Sequence, residues 1–369
     1  LLVLGAFREN NDGWVNLSSK KMKELYGNDY KELIRYLQDF HNEDGYPLLK
    51  TDHHYVKGLK SKSFRLTSQA FDSGVFRYDL ASGAVMRKLL RKSTKISNQG
   101  DYKRFSFDTD SYLGWIVKSD IGSKKSVQQI ASVISWENGL FWNHRDSFSK
   151  RLHHSVIGFK KEFRRYISYG GNPIWECDMK GCQPFILASL IYSPSICAKA
   201  NDVMRVDDLQ EKLTSIRKDF NTNRFLELCL SGEIYTFLQN KLNTDHSVFL
   251  DRDALKKETL KIFFGVYFHR SNLTAVFEDY FPEIGLFFSR VNRTKQGGKD
   301  LAQLLQRIES YIFIDKVKSD LENQNIPHIT IHDAILTGEM YAYGVSKKIK
   351  DYSTKILGFT PTVKVSEIK

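Results

Sequence analysis

The chain has 369 residues, 41% hydrophobic and 13% aromatic, which excludes a disordered polymer and suffices for a large core split into two or three subdomains. The formal net charge is +12, spread along the chain rather than gathered in a tail, and that favours a polyanionic partner, nucleic acid above all. Four cysteines without a C-x-x-C pair, no secretory leader and no run long enough to span a membrane lead to the expectation of a reduced, cytoplasmic protein without a membrane partner.

Residues 1–150 read as mixed and basic. Ser19–Phe40 has helical periodicity broken at Gly27-Asn28-Asp29, which predicts two short helices. Tyr55–Thr67 alternates and is rich in Lys and Arg, as a basic strand pair or a solvated hairpin would be. Ala84–Lys92 reads as a basic amphipathic helix and Val127–Asn138 as a second helix. A helical, basic region of this kind suits gripping a duplex through its phosphates.

Residues 150–172, KRLHHSVIGFKKEFRRYISYGGN, are dense in cations and aromatics and include Arg151, Lys160, Arg164 and Arg165. They lead through a Gly170-Gly171-Asn172 turn into IWECDMKGCQPFILASL, residues 174–190. Apolar residues suited to a buried strand end on Asp178, and a buried helix follows without a long loop. Alternation places Ile174, Glu176 and Asp178 on one face. An acid closing a core strand is costly unless it is paired or binds a metal, so Asp178 is a candidate metal carboxylate. A capped strand end is the competing reading.

Helices are predicted over Val206–Arg217, Arg224–Leu242 and Arg252–Phe264, the last opened by Asp251 and closed by Gly265. Arg252 and Lys256, four apart, share a face that Leu260 and Phe264 continue. Two cations at one end and an aromatic at the other would grip a triphosphate and stack on its base. An amphipathic core helix with snorkelling cations would look similar. Asn292–Gly298 reads as a polar loop and Leu301–Asn323 as one long helix. Ile329–Ile331 and Ile335–Leu336 flank His332-Asp333, which predicts a hairpin with an acid at its tip. If that hairpin neighbours the Asp178 strand, the two acids suit in-line phosphoryl or nucleotidyl transfer on divalent cations. Tyr341–Leu357 closes the chain as a helix and Thr360–Val365 as an edge strand.

Three of these pieces, in this order and with this internal spacing, resemble motifs A, B and C of family A DNA polymerases and, more distantly, of phage-type single-subunit RNA polymerases. Asp178-Met-Lys-Gly-Cys-Gln183 is similar to motif A. Arg252, Lys256 and Phe264-Gly265 match the Arg-x3-Lys-x7-aromatic-Gly spacing of motif B, and His332-Asp333 resembles motif C. Phe163-Arg164-Arg165-Tyr166-Ile167 resembles the family's approach to motif A, and Gly232-Glu-Ile-Tyr235 its segment between motifs A and B. The resemblance spans about residues 150–369 and extends to short phage- or mobile-element-encoded chains. It departs from the family at Ala334, where the DNA enzymes carry a third acid, and at Phe264, where Tyr is usual.

The resemblance implies an α+β right-hand polymerase fold with an antiparallel palm sheet, helical fingers and a helical, basic, thumb-like N-terminal region. It divides the chain into residues 1–150 (N-terminal and thumb-like), 151–200 (palm, motif A), 201–300 (fingers) and 301–369 (palm, motif C). It implies a DNA-dependent DNA polymerase acting on a primer/template with nucleoside triphosphates, and residues 1–150 show no convincing proofreading exonuclease acids, so no proofreading is expected. Asp178 and Asp333 would hold two Mg²⁺ ions, with Mn²⁺ as a substitute, and Lys256 would serve catalysis. Arg252, Phe264, Gly265, His332 and Gln183 would line the nucleotide site. Arg151, Lys160, Arg164 and Arg165 would hold nucleic acid. Gln183 stands where the DNA enzymes place a Glu that crowds the sugar 2′ position, and it leans to deoxynucleotides. An RNA polymerase or primase-like enzyme, in which Gln183 accepts a 2′-hydroxyl, is the alternative. Outside that class stand a metal-dependent nuclease and an inactive nucleic-acid-binding homologue.

Overall fold

The structure is a computed structural model. It describes residues 15–16, 19, 23, 30–39, 49–52, 63–66, 101–112, 136, 141, 143–159, 161–193, 207–265, 271–292 and 295–369. The helices expected over Ala84–Lys92 and Val127–Asn138, most of the Tyr55–Thr67 segment, Lys160 and Cys197 lie outside these residues, apart from Trp136 within the second helix. The architecture is a mixture of helices and antiparallel sheet. Two compact units divide the chain, Leu1–His144 with His154–Ser168, and Arg145–His153 with Tyr169–Lys369.

In the first unit β1 (Val15–Asn16), β2 (Leu49–Asp52) and β3 (Ser63–Leu66) form a small antiparallel sheet in the order β1-β3-β2, beside helix α1 (Tyr30–Asp39). β4 (Ser106–Phe107) pairs antiparallel with β7 (Ile167–Tyr169), Phe107 facing Ile167, and the chain between them includes the short strands β5 (Asn143–Arg145) and β6 (Leu152–His154). Aromatic rings make this core. Phe107 stacks on Phe159 at 5.4 Å and Tyr112 meets Phe163 edge-on at 4.8 Å, arrangements that ring quadrupoles favour.

The second unit is built on β8 (Asn172–Met179). Gly170 and Gly171 both hold positive φ, which only glycine adopts freely, and turn the chain into this strand. β10 (Ala334–Gly338) pairs with one side of β8 and β11 (Val363–Glu367) with the other, while β9 (Ile329–Ile331) pairs with β10. Every pairing is antiparallel. Lys180 and Gly181 alone separate β8 from α2 (Cys182–Tyr192), nine of whose residues are buried. A helix apolar on all sides is a core helix.

α3 (Asp207–Thr214), α4 (Phe220–Ser231) and α9 (Lys295–Ser310) pack on α2, and α5 (Ile234–His246), α6 (Arg252–Phe264), α7 (Asn272–Tyr280) and α8 (Pro282–Val291) join them in one buried core. The single helix expected over Arg224–Leu242 is two helices. Gly232 at φ 77 caps α4, accepting the left-handed conformation that ends a helix, and Ile234 starts α5. The long helix expected over Leu301–Asn323 changes pitch. A π-helical segment, Tyr311–Lys318, joins α9 to α10 (Ser319–Asn323). Wide π turns of this kind occur often at functional sites. The closing helix α11 spans Glu339–Leu357.

The polar loop expected at Asn292–Gly298 is shorter, because α9 already begins at Lys295 and Asn292 caps the end of α8. Asn292 is buried and donates from Nδ2 to the carbonyls of Ile262 and Phe263, 2.9 and 3.2 Å away. Those are last-turn carbonyls of α6 that have no partner within the helix. A Cβ added at Gly298 would stand 2.6 Å from the Phe264 carbonyl, so a side chain there must displace the end of α6.

Candidate active site

Asp178 sits on β8 directly opposite Ala334 on β10, and the Met179 amide donates to the Asp333 carbonyl at 3.1 Å. The two acids thus lie at one end of two adjacent strands, as expected if the hairpin neighbours the Asp178 strand. Both are half-buried. Ile331 pairs with Ala334 across a two-residue turn made of His332 and Asp333. His332 takes φ 50, a region in which His is enriched among non-glycine residues and whose strain clusters at functional sites. Among the described residues no group of three or more His, Cys, Asp or Glu side chains gathers as a metal-binding cluster.

Charges converge on this strand end. The Cys182 thiol is fully buried, and its pKa is pushed well up, by burial first and then by the negative charge of Glu309, Asp333 and Asp178, with Arg151 opposing. Burial likewise raises the Tyr235 phenol, aided by Cys229, Asp333 and Cys182 and opposed by Arg252. Tyr235 therefore lies within electrostatic reach of both Asp333 and the first residue of α6. Its ring is 3.8 Å from where a Cβ of Gly181 would stand, and its hydroxyl is buried without a hydrogen-bond partner among the described residues.

α6 begins at an N-cap, Asp251, whose carboxylate accepts from the Ala254 amide at 2.8 Å, satisfying an orphan donor of the first turn. Arg252 and Lys256 are exposed on one line, Leu260 and Phe264 are half-buried further along it, and Gly265 caps the helix. Behind them Phe263 stacks on Phe288 at 4.8 Å within a cluster that includes Phe225, Phe277 and Phe281. The cations project from a helix fixed by aromatic packing.

Glu309 is the site residue that sequence reasoning missed. It is 1% exposed at the end of α9. Arg151 grips it with both prongs of its guanidinium, Nε to Oε1 at 2.7 Å and Nη2 to Oε2 at 2.9 Å. The Gln183 amide nitrogen also donates to Oε2, and the Cys182 thiol points at the same oxygen from 3.8 Å. Burial lifts the Glu309 pKa above the usual carboxylate value, with Arg151 and Gln183 opposing it. The two-pronged contact from an always-protonated guanidinium is that of a carboxylate. Sequence assigned Arg151 to nucleic acid; in the structure its guanidinium is engaged by Glu309.

Residues 145–153 form the strap that presents Arg151. Arg145 makes a two-pronged ion pair with Asp315 (2.6 and 2.7 Å), Arg307 donates to the Phe148 and Ser147 carbonyls, and Ser310 donates to the Ser149 carbonyl. Asp146 folds the strap, accepting from the Ser149 amide at 2.6 Å, from the Ser149 hydroxyl and from the Arg151 amide at 3.1 Å. Burial works against its ionisation, but hydrogen bonds from Ser149 and His153 outweigh it and bring its pKa to about 2 from 3.8. A depressed carboxyl stabilises the fold above its unfolded pKa and loses that contribution as pH falls through the folded one. Asp146→Asn is therefore expected to lower the urea midpoint by a constant amount from pH 7 down to 3.8. The difference from wild type should shrink as pH falls from 3.8 through about 2 and be lost only below that. A difference that does not depend on pH would exclude ionised Asp146 as its source.

Arg164 and Arg165 belong to the first unit, in a 3₁₀ segment, Lys161–Tyr166, where the Arg165 guanidinium lies 5.5 Å from the Tyr166 ring centre. Cys177, Cys182 and Cys229 are buried free thiols; burial lifts Cys177 to about 12. Among the described residues no helix is long and apolar enough to cross a membrane.

No family model matches the chain, and no curated protein matches it. Among solved structures it is similar to the POL domain of Pol1 from M. smegmatis in complex with DNA primer-template and dNTP, at a TM-score of 0.33 and 11% identity. The match covers 79% of this chain and 60% of that one, so the chain spans less than two thirds of that structure's length.

Proposed function

We propose that the chain is a template-directed nucleotidyltransferase of compact right-hand polymerase layout that extends a primer with deoxynucleoside triphosphates and has no proofreading activity. The observation that carries this reading is the placement of Asp178 and Asp333 at the same end of adjacent strands, beside a residue, Tyr235, that also senses the start of α6. Two half-buried carboxylates offer the oxygen donors Mg²⁺ prefers, and Mn²⁺ accepts the same set. Bound there, the ions would acidify the primer 3′-hydroxyl and neutralise charge on the triphosphate.

The chain's own side chains supply the remainder. Arg252 binds the far phosphates of the nucleotide, and Lys256, one turn on, neutralises charge developing on the phosphates and gives a proton to pyrophosphate. Phe264 stacks beside the nascent pair, with Gly265 letting the backbone approach. His332 fixes the turn that presents Asp333. Gln183 lies beside the sugar, and Arg164, Arg165 and Lys160 take backbone phosphates.

Primer extension tests the proposal. Purified protein receives Mg²⁺, a labelled DNA primer on a DNA template and either dNTPs or rNTPs. Extension with dNTPs is expected. Extension with rNTPs alone would move the chain to the RNA polymerase class. No extension, with salt-sensitive DNA binding intact, would leave an inactive nucleic-acid-binding homologue.

A further inference from the structure

The proposed chemistry makes no use of Glu309, yet three donors converge on it: a guanidinium, a primary amide and a thiol. A carboxylate taken out of water is costly unless its partners are well placed, so an arrangement this complete constrains each partner. The constraint falls on Gln183. An ionised carboxylate has no proton to give, so it accepts only the NH₂ end of the amide. The Gln183 side chain is thereby fixed in rotamer and in orientation, with Oε1 buried and without a hydrogen-bond partner among the described residues. A free Gln keeps its rotamer freedom and swings aside to admit a larger ligand. Anchored to α9, this one does not.

We infer that Glu309, braced by Arg151, is a positioning residue that locks Gln183 as the wall against the sugar, so that exclusion of a 2′-hydroxyl depends on three side chains rather than one. The inference rests on the polymerase reading. It assigns Arg151 a part other than gripping nucleic acid. It also gives the strap at residues 145–153 a purpose, since the strap presents Arg151 to Glu309.

The test is single-nucleotide extension, with kcat/KM measured for a dNTP and the matching rNTP. The proteins are wild type, Glu309→Leu, Gln183→Ala and their combination. Arg151→Met/Glu309→Leu is included as a variant that removes both charges together and so keeps the interior free of an unpaired ion. Wild type is expected to prefer the dNTP. Glu309→Leu and Arg151→Met/Glu309→Leu should each reduce that preference at least tenfold, as should Gln183→Ala. In the Gln183→Ala background, Glu309→Leu should change the ratio no further, because it acts through Gln183. A merely structural role would lower both rates alike and leave the ratio fixed, which overturns the inference while the polymerase reading stands. A wild type that prefers the rNTP also overturns it, making Oε1 an acceptor for the hydroxyl. A wild type that extends with neither nucleotide overturns both.

Discussion

Asp178→Asn is expected to abolish primer extension, lowering kcat/KM by about 10²–10³-fold or more, the scale on which a single preorganised electrostatic group acts in a transition state. The substitution is isosteric and leaves the backbone pairings of residue 178 with Ala334 and Lys364 in place. Unfolding midpoints should therefore match wild type, and primer-template affinity should change little. This pattern separates the proposed enzyme from a protein that only binds nucleic acid. A binder keeps its function in the Asn variant. Extension at the wild-type rate would remove Asp178 from the chemistry and the two-carboxylate reading with it.

The largest effect on stability is expected at Arg151. Removing it strands Glu309, 1% exposed, as a buried carboxylate facing only an amide and a thiol. Breaking a buried pair from one side typically costs about 3–5 kcal/mol, whereas replacing both members by apolar groups is often neutral. Arg151→Leu should show that loss in urea unfolding at neutral pH, and Arg151→Met/Glu309→Leu should recover most of it. The Arg151→Leu protein should also gain stability as pH falls, because a stranded carboxyl is held protonated in the fold and the contribution is fully present only below its unfolded pKa. A cost under about 1 kcal/mol would mean that the pair is solvated rather than buried.

The parts of this site that the sequence discloses are those whose signal is local. Asp178 stands out because an acid ends an apolar strand just before an apolar helix. Asp333 stands out because two short apolar runs bracket it. That the two strands are neighbours could be posed from sequence only as a condition, and the register with Ala334 opposite Asp178 meets it. Glu309 gave no such signal. It occupies one position on an amphipathic helix, where a Glu reads as a solvated residue, and the cation that makes its burial tolerable is 158 residues away. Asn292 looked like loop because its role, capping α6, depends on carbonyls 29 and 30 residues upstream. The pitch change at Tyr311–Lys318 has no composition signature, since the same residues would fill α turns equally well. The break at Gly232 was available to sequence reasoning, for a glycine between two helical stretches is an ordinary stop signal.

The order in which the chain is made bears on how this site comes together. β8 leaves the ribosome long before β10 and β11, two strands that pair along its sides. Arg151 likewise waits 158 residues for its carboxylate. At translation rates of about 5–20 residues per second the delay is roughly ten to thirty seconds. Throughout it the apolar strand of Ile174 to Met179 lacks both β10 and β11, and an unpaired strand edge is the condition under which strands pair with the wrong chain. Nascent chains that end before β9 lack β10 and β11 altogether. They should be the forms of this protein that chaperones hold and that aggregate when synthesis is interrupted.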